Sequence, residues 1–208
     1  MNHIMNRTVL MLAILAAVSC STGPKDGQPL PLSAEEISII MEQDSVMKVY
    51  TVCDPEDSLL LRQPCTDFTA EDLQSDVYRT LAEKMLVTVN DPSQNGVGIA
   101  GPQVGISRRV VAVMRYDREG KPFGVYPNVR LDSLWGEMTH GPEGCLSVPG
   151  RRGTVPRYST VLVSYTDPQT LETVRDTVSG YTAIIFQHET DHLDGVLYVD
   201  KADTVFVK

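Results

Sequence analysis

Cations are scarce in this chain: 18 Lys and Arg stand against 27 Asp and Glu, a formal net charge of −9. Nucleic acid is excluded as a partner, because a protein that tracks phosphates needs a basic face. Long apolar runs are missing as well. The run near the start, Val9 to Val18, is too short for a comfortable membrane span. No internal repeat is present, and no low-complexity segment beyond a Gly/Pro-rich stretch near the start. Histidine is rare, with 4 in 208 residues, so a regular spacing between two of them carries weight. The bulk composition is ordinary: 42% apolar and 22% charged residues over 208 positions suit one domain with a sizeable core.

Residues 1–20 read as a secretory signal. Arg7 gives a basic start, Val9 to Val18 an apolar core, and small residues lead to Cys20. Ala17-Val18-Ser19-Cys20 resembles the lipobox of bacterial lipoproteins. Acyl chains on Cys20 would tie the protein to a membrane surface, so an exported, lipid-anchored location on the periplasmic or cell-surface side is predicted. The plainer alternative is an ordinary cleaved signal with an incidental cysteine. Residues 21–45 then form a tether, with Gly23, Pro24, Gly27, Pro29 and Pro31, followed by a short helix that Ser33 and Glu36 open as a capping box. Residues 46–208 form the main domain. Export exposes the chain to oxidising conditions. With Cys20 lipidated and Cys145 on a metal, Cys53 and Cys65 remain, either as a disulfide or as two free, packed thiols.

Within the domain, Val46 to Val52 is β-prone. Thr69 opens a helix in which Leu73, Val77, Leu81 and Met85 recur every fourth residue, which predicts one long amphipathic helix to about Val89. Strands are predicted over 110–114, 123–126, 129–134, 161–165 and 173–178. A last helix runs from Thr182 to Leu193, stopped by Gly195. Its apolar Ala183-Ile184-Ile185-Phe186 stretch predicts burial.

That helix carries His188-Glu189-Thr190-Asp191-His192. Residues four apart share a helix face, so both imidazoles could reach one divalent ion. Glu189 would sit beside it as proton carrier for a water. Two surface or capping histidines are the bland alternative, but a buried helix with this many polar groups needs partners for them. A second element, Glu143-Gly144-Cys145-Leu146-Ser147, supplies a thiolate. One Cys and two His leave a tetrahedral ion an open position. A third, Gly96-Val97-Gly98-Ile99-Ala100-Gly101-Pro102-Gln103, lets a backbone approach a peptide closely, and Gln103 offers an amide N–H to an oxyanion.

In this order the three elements resemble the peptide deformylase family, marked by G-x-G-x-A-x-x-Q, E-G-C-L-S and Q-H-E-x-D-H. The resemblance spans roughly Val46 to Lys201. It implies an α+β fold with antiparallel sheets packed around a central C-terminal helix carrying the HExDH motif. It implies hydrolysis of the formyl group from N-formylmethionyl peptides, with release of formate. It implies one divalent ion, native Fe2+ with Zn2+ or Ni2+ as alternatives, held by Cys145, His188 and His192. By the same resemblance Glu189 is the general base, while Gln103 and the backbone N–H of Leu146 hold the oxyanion. Val97, Gly98, Gly144 and Ile185 line the peptide groove, and Arg152 reaches the peptide further along. Charge balance adds Glu143, Arg157 and Asp191 as a buried network behind the ligands. A monomer is expected.

Two local departures stand out. Ala100-Gly101 replaces the family's usual Ala-Ala, which would loosen the loop, and Tyr126-Pro127 replaces the usual Asn-Pro, which would alter local hydrogen bonding. The export signal is the larger departure, since family members act on nascent chains in the cytoplasm. Two rivals remain. A zinc peptidase would share His-Glu-x-x-His but draw its third ligand from after the helix, whereas Cys145 precedes it. A non-catalytic lipoprotein binding formyl peptides or metal would have no need of Glu189 or Gln103, and both are present.

Overall fold

The computed structural model describes residues 29–207. The predicted signal, Cys20 and the tether through residue 28 lie outside the described residues. The end of that tether is pinned to the domain: Leu30 N–H donates to the Asp67 carbonyl at 3.2 Å, and Leu32 is buried. Ser33 then caps α1 (Ala34–Glu42). Its Oγ accepts from Glu36 N–H at 3.1 Å, and Glu36 Oε2 accepts from Ser33 N–H at 2.9 Å, so the capping box forms as predicted. Glu36 also takes two bonds from the Arg108 guanidinium, at 2.9 and 2.7 Å, and the same guanidinium reaches the carbonyls of Leu30 and Pro31. The folded unit therefore starts before residue 46.

The predicted strand over 46–52 is extended chain without a ladder. Its amides go to five separate partners: Met47 to Thr88 Oγ1, Lys48 to Gln43 Oε1, Tyr50 to the Gln103 carbonyl, Thr51 to Asp57 Oδ2 and Val52 to the Ser147 carbonyl. A β-prone stretch becomes a strand only where a neighbouring strand lies alongside. Helix α2 (Pro55–Leu61) follows, opened by Asp54 with proline at the first helical position, a start signal that the sequence carries locally. The single long helix expected from Thr69 is two, α3 (Ala70–Leu73) and α4 (Asp76–Asn90). Ser75 makes the break. Its Oγ donates to the Asp72 carbonyl at 2.6 Å and accepts from Tyr78 N–H at 3.1 Å, ending one helix and capping the next.

Strands β1 (Gly98–Ala100), β2 (Val110–Met114) and β3 (Phe123–Pro127) form one antiparallel sheet. A second holds β4 (Arg130–Cys145), β5 (Val148–Thr166) and β6 (Thr173–Ser179), with β7 (Thr204–Val207) added to β5. The short strands predicted at 129–134 and 161–165 are the far ends of a hairpin whose arms run 16 and 19 residues. Prolines and glycines hid its length. Bulges between Trp135/Met138 and Glu143/Cys145 take up Gly136 and Gly144. Helix α5 (Tyr181–Leu193) packs against β1, β2 and β5, with Ala183, Phe186 and Leu193 fully buried. The short α6 (Tyr198–Lys201) follows it. Antiparallel sheets around this helix are the predicted α+β architecture.

Candidate active site

One turn of α5 separates His188 from His192, and both meet the tip of the β4–β5 hairpin, where Cys145 ends β4. Cys145 Sγ lies 3.2 Å from His192 Nε2, and one candidate ligand atom from each of the three residues lies within 4.8 Å of the others. A tetrahedral zinc with bonds of about 2.0–2.3 Å separates its ligand atoms by roughly 3.3–3.7 Å, so the three side chains fit one ion with small adjustments. His188 Nδ1 sits 2.8 Å from Glu143 Oε2, which leaves its Nε2 for the ion. Glu189 Oε2 and His192 Nδ1 are buried without a hydrogen-bond partner. A thiolate with two imidazoles is a donor set that zinc, ferrous iron and nickel accept.

The electrostatics suit such an ion. Burial raises the Cys145 thiol, but His192 and His188 outweigh it and bring its pKa down to about 5 in the metal-free chain. Burial opposes charge on His188, yet bonds to Cys145 and Glu143 hold its pKa well above the ordinary imidazole value. Burial likewise opposes charge on Glu143, and the bonds to His188 and Arg157 overcome it, leaving a pKa of about 2. Glu189 goes the other way: burial pushes its carboxyl up to about 7, against the pull of the two histidines. A group near neutrality can both take and return a proton at working pH.

Behind the ligands the charge network suggested by charge balance is present. Arg157 donates to Glu143 Oε1 at 2.8 Å and to Asp191 Oδ2 at 2.6 Å, and Lys201 Nζ lies 2.5 Å from Asp191 Oδ1. Gln103 is held by its own loop: Oε1 accepts from Ala100 N–H at 2.9 Å, while Nε2 donates to Ser147 Oγ at 3.2 Å and points toward Cys145 Sγ at 3.6 Å. A cavity of about 460 Å³ opens onto this centre. Val97, Gly98, Gly144, Leu146, Arg152 and Ile185, all singled out from the sequence, line it together with Gln103, Cys145, His188 and Glu189. Gly98 is needed there, since a Cβ on it would stand 2.8 Å from Ile185 Cγ2 and collide with the Glu189 carboxylate. Gly101 does not loosen its loop. It is buried, and a Cβ there would lie 2.6 Å from the Arg108 carbonyl, so the glycine permits a tighter turn. Tyr126 does change local bonding, because its hydroxyl accepts from Arg115 Nη1 at 3.1 Å.

Two further side chains frame the ligands without an obvious sequence signal. Ser147 is fully buried against Gln103, and the Tyr198 ring stacks on His188 with centroids 6.0 Å apart. Ser147 lies inside the E-G-C-L-S motif, which was its only hint. The Cys53–Cys65 disulfide is not formed: both thiols are free, Cys53 on the surface and Cys65 buried. Burial pushes the Cys65 thiol up to about 12.

The family model described as Polypeptide deformylase matches residues 46–206. The chain belongs to the peptide deformylase family. Peptide deformylase 2 of Nostoc sp. is 39% identical over 141 residues, covering 64% of this chain and 76% of the relative. The peptide deformylase of Leptospira biflexa is 33% identical over 164 residues, 76% of this chain and 88% of the relative. Among solved structures, the Met-Ala-Ser-bound class I type b peptide deformylase from Acinetobacter baumannii gives a TM-score of 0.66 at 36% identity, over 75% of this chain and 98% of that one. The peptide deformylase from Thermotoga maritima gives 0.66 at 30% identity, over 76% and 99%. As a member of the peptide deformylase family the chain is a hydrolase, and its Cys145, His188 and His192 form a group that could hold a metal ion.

Proposed function

We propose that this chain hydrolyses the formamide bond of N-formylmethionyl peptides, giving formate and a free amino terminus. The convergence of Cys145, His188 and His192 beside the buried Glu189 carboxyl, at the floor of an open groove, carries the reading. Cys145, His188 and His192 would hold a divalent ion, ferrous iron as the native choice with zinc or nickel as substitutes, and that ion would supply Lewis acidity to the formyl carbonyl and to the attacking water. Glu189 Oε2 receives the proton that water gives up on attacking the formyl carbon. It then passes that proton to the departing amine nitrogen as the C–N bond breaks. Gln103 Nε2 and the Leu146 amide donate to the oxygen on which negative charge develops, each worth about 2.7–4 kcal/mol by analogy with other acyl-transfer sites. Val97, Gly98, Gly144 and Ile185 position the methionine and the peptide backbone.

Lipidation at Cys20 would hold this activity on the outer side of a bacterial membrane as a monomer, where the substrates are formylated peptides already released from the ribosome. The direct test is formate release from formyl-Met-Ala-Ser by the chain loaded anaerobically with each metal. Glu189→Ala should retain the ion and lose turnover by about 10²–10⁴-fold; a variant as fast as the parent overturns the assignment of the base. Palmitate labelling that survives Cys20→Ala would remove the proposed anchor.

A further inference from the structure

Arg151 and Arg152 lie side by side at the mouth of the groove, both exposed. Every other arginine among the described residues, from Arg62 on Asp200 to Arg175 on Asp132, lies against a carboxylate. In a chain with nine more acids than bases, two adjacent cations with no ion pair among the described residues are conspicuous. The groove has little negative charge to balance them. Its lining carboxylates are Glu143 and Glu189, both buried, and Glu143 is already neutralised by Arg157 and His188.

The two arginines are also placed and held for contact with a bound peptide. Their backbone is paired to β7, Arg151 opposite Val207 and Arg152 opposite Phe206, so little main-chain freedom is lost on binding. The Arg152 side chain leans over Gly144, with Cγ 3.7 Å and Nε 3.9 Å from where a Cβ on that glycine would stand. Gly144 is the neighbour of Cys145. An extended peptide advances about 3.3–3.6 Å per residue, so a tripeptide with its formyl end at Cys145 spans roughly 10 Å and ends near this mouth.

We propose that Arg151 and Arg152 select peptides that carry a carboxylate one or two residues beyond the formylated methionine. That carboxylate is either the free C-terminus of a short peptide or an acidic side chain. The proposal rests on the deformylase reading above and adds the substrate class. Guanidinium is the side chain best matched to a carboxylate, through paired N–H donors. Because the pair is exposed, the gain is modest and sensitive to salt. The carboxylate is remote from the reacting carbon, so the preference belongs in KM and not in kcat.

Two substrate pairs separate the sources: formyl-Met-Ala-Ser as free acid against its C-terminal amide, and formyl-Met-Ala-Glu amide against formyl-Met-Ala-Gln amide. With the metal-loaded full-length chain at low salt, KM should be about five- to tenfold lower for the carboxylate member of at least one pair. The gap should shrink toward one in about 0.5 M salt. Arg151→Gln with Arg152→Gln should abolish the ratio, and Arg152→Glu should reverse it. Ratios near one in both pairs overturn the proposal, and so does a ratio that survives the double substitution. If no peptide releases formate, the proposed reaction fails on its own account. The selection is then read by calorimetry with Met-Ala-Ser as acid and as amide, where equal affinities overturn it and tighter binding of the acid supports it.

Discussion

At the scale of single residues, three cysteines among the described residues occupy three different environments, and their chemistry should follow. Cys53 is on the surface, Cys65 is buried with its thiol pushed up to about 12, and Cys145 is held at about 5 without metal. Iodoacetamide followed by peptide mapping should mark Cys53 and Cys145 in the metal-stripped protein, and Cys53 without Cys145 once metal is restored. Cys65 should stay unmarked in both; an adduct there would mean that the core opens around it. Arg157 makes a second residue-scale case. It is the shared partner of Glu143 and Asp191, all three buried. Arg157→Met strands both acids, and thermal melting should show a loss of about 3–5 kcal/mol. The ligands and the base could be identified from the sequence because their chemistry is local: two histidines one helical turn apart, an acid between them, a thiol in a fixed pentapeptide. Tyr198 was not, since a ring that stacks on His188 from the following helix leaves no spacing to recognise.

At the scale of elements, local sequence signals located β2, β3, β6 and α5 to within a residue at either end, and failed where a single side chain or a distant strand decides. Ser75 splits one apolar stripe into two helices through two hydrogen bonds, a choice invisible in the spacing of Leu73, Val77 and Leu81. The β4–β5 hairpin keeps its ladder past Gly136 and Gly144 because bulges take them up, while Pro142 and Pro156 stay in register opposite Thr154 and His140. Close packing between β1 and α5 is the element-scale feature with a functional test. Gly98→Ala adds a methyl group where the Glu189 carboxylate and Ile185 already stand. The variant should keep its metal, as read by elemental analysis, while formate release falls by about a hundredfold or more, since a misplacement of about 1 Å costs that much. Unchanged turnover would show that α5 can retreat from β1 at no cost.

At the scale of the whole molecule, acid should be the weak side. Asp117 has its pKa drawn down from 3.8 to about 2, first by its bond from Arg115, and bonds from His188 and Arg157 bring Glu143 from 4.5 to about 2 despite burial. Both folded-state values lie below the unfolded ones. Their contribution is therefore complete above about pH 5 and is lost as pH falls toward 2. Circular dichroism against pH should show an unfolding limb in that window, shallower in Glu143→Gln; a limb starting near pH 6 would point to other groups. Stability also depends on residues that precede the family match. A chain cut to begin at residue 46 leaves Arg108 buried without Glu36 or the carbonyls of Leu30 and Pro31, and it should melt well below the parent. That clasp has a geometric corollary. With Leu30 fastened to the body of the enzyme, a lipid on Cys20 would be joined to it by only ten residue steps, a leash of at most about 35 Å when pulled straight. The clasped end of the domain would then stay within that leash of the bilayer, with the groove at most a domain's width further out, so turnover would be confined to peptides that reach the membrane surface.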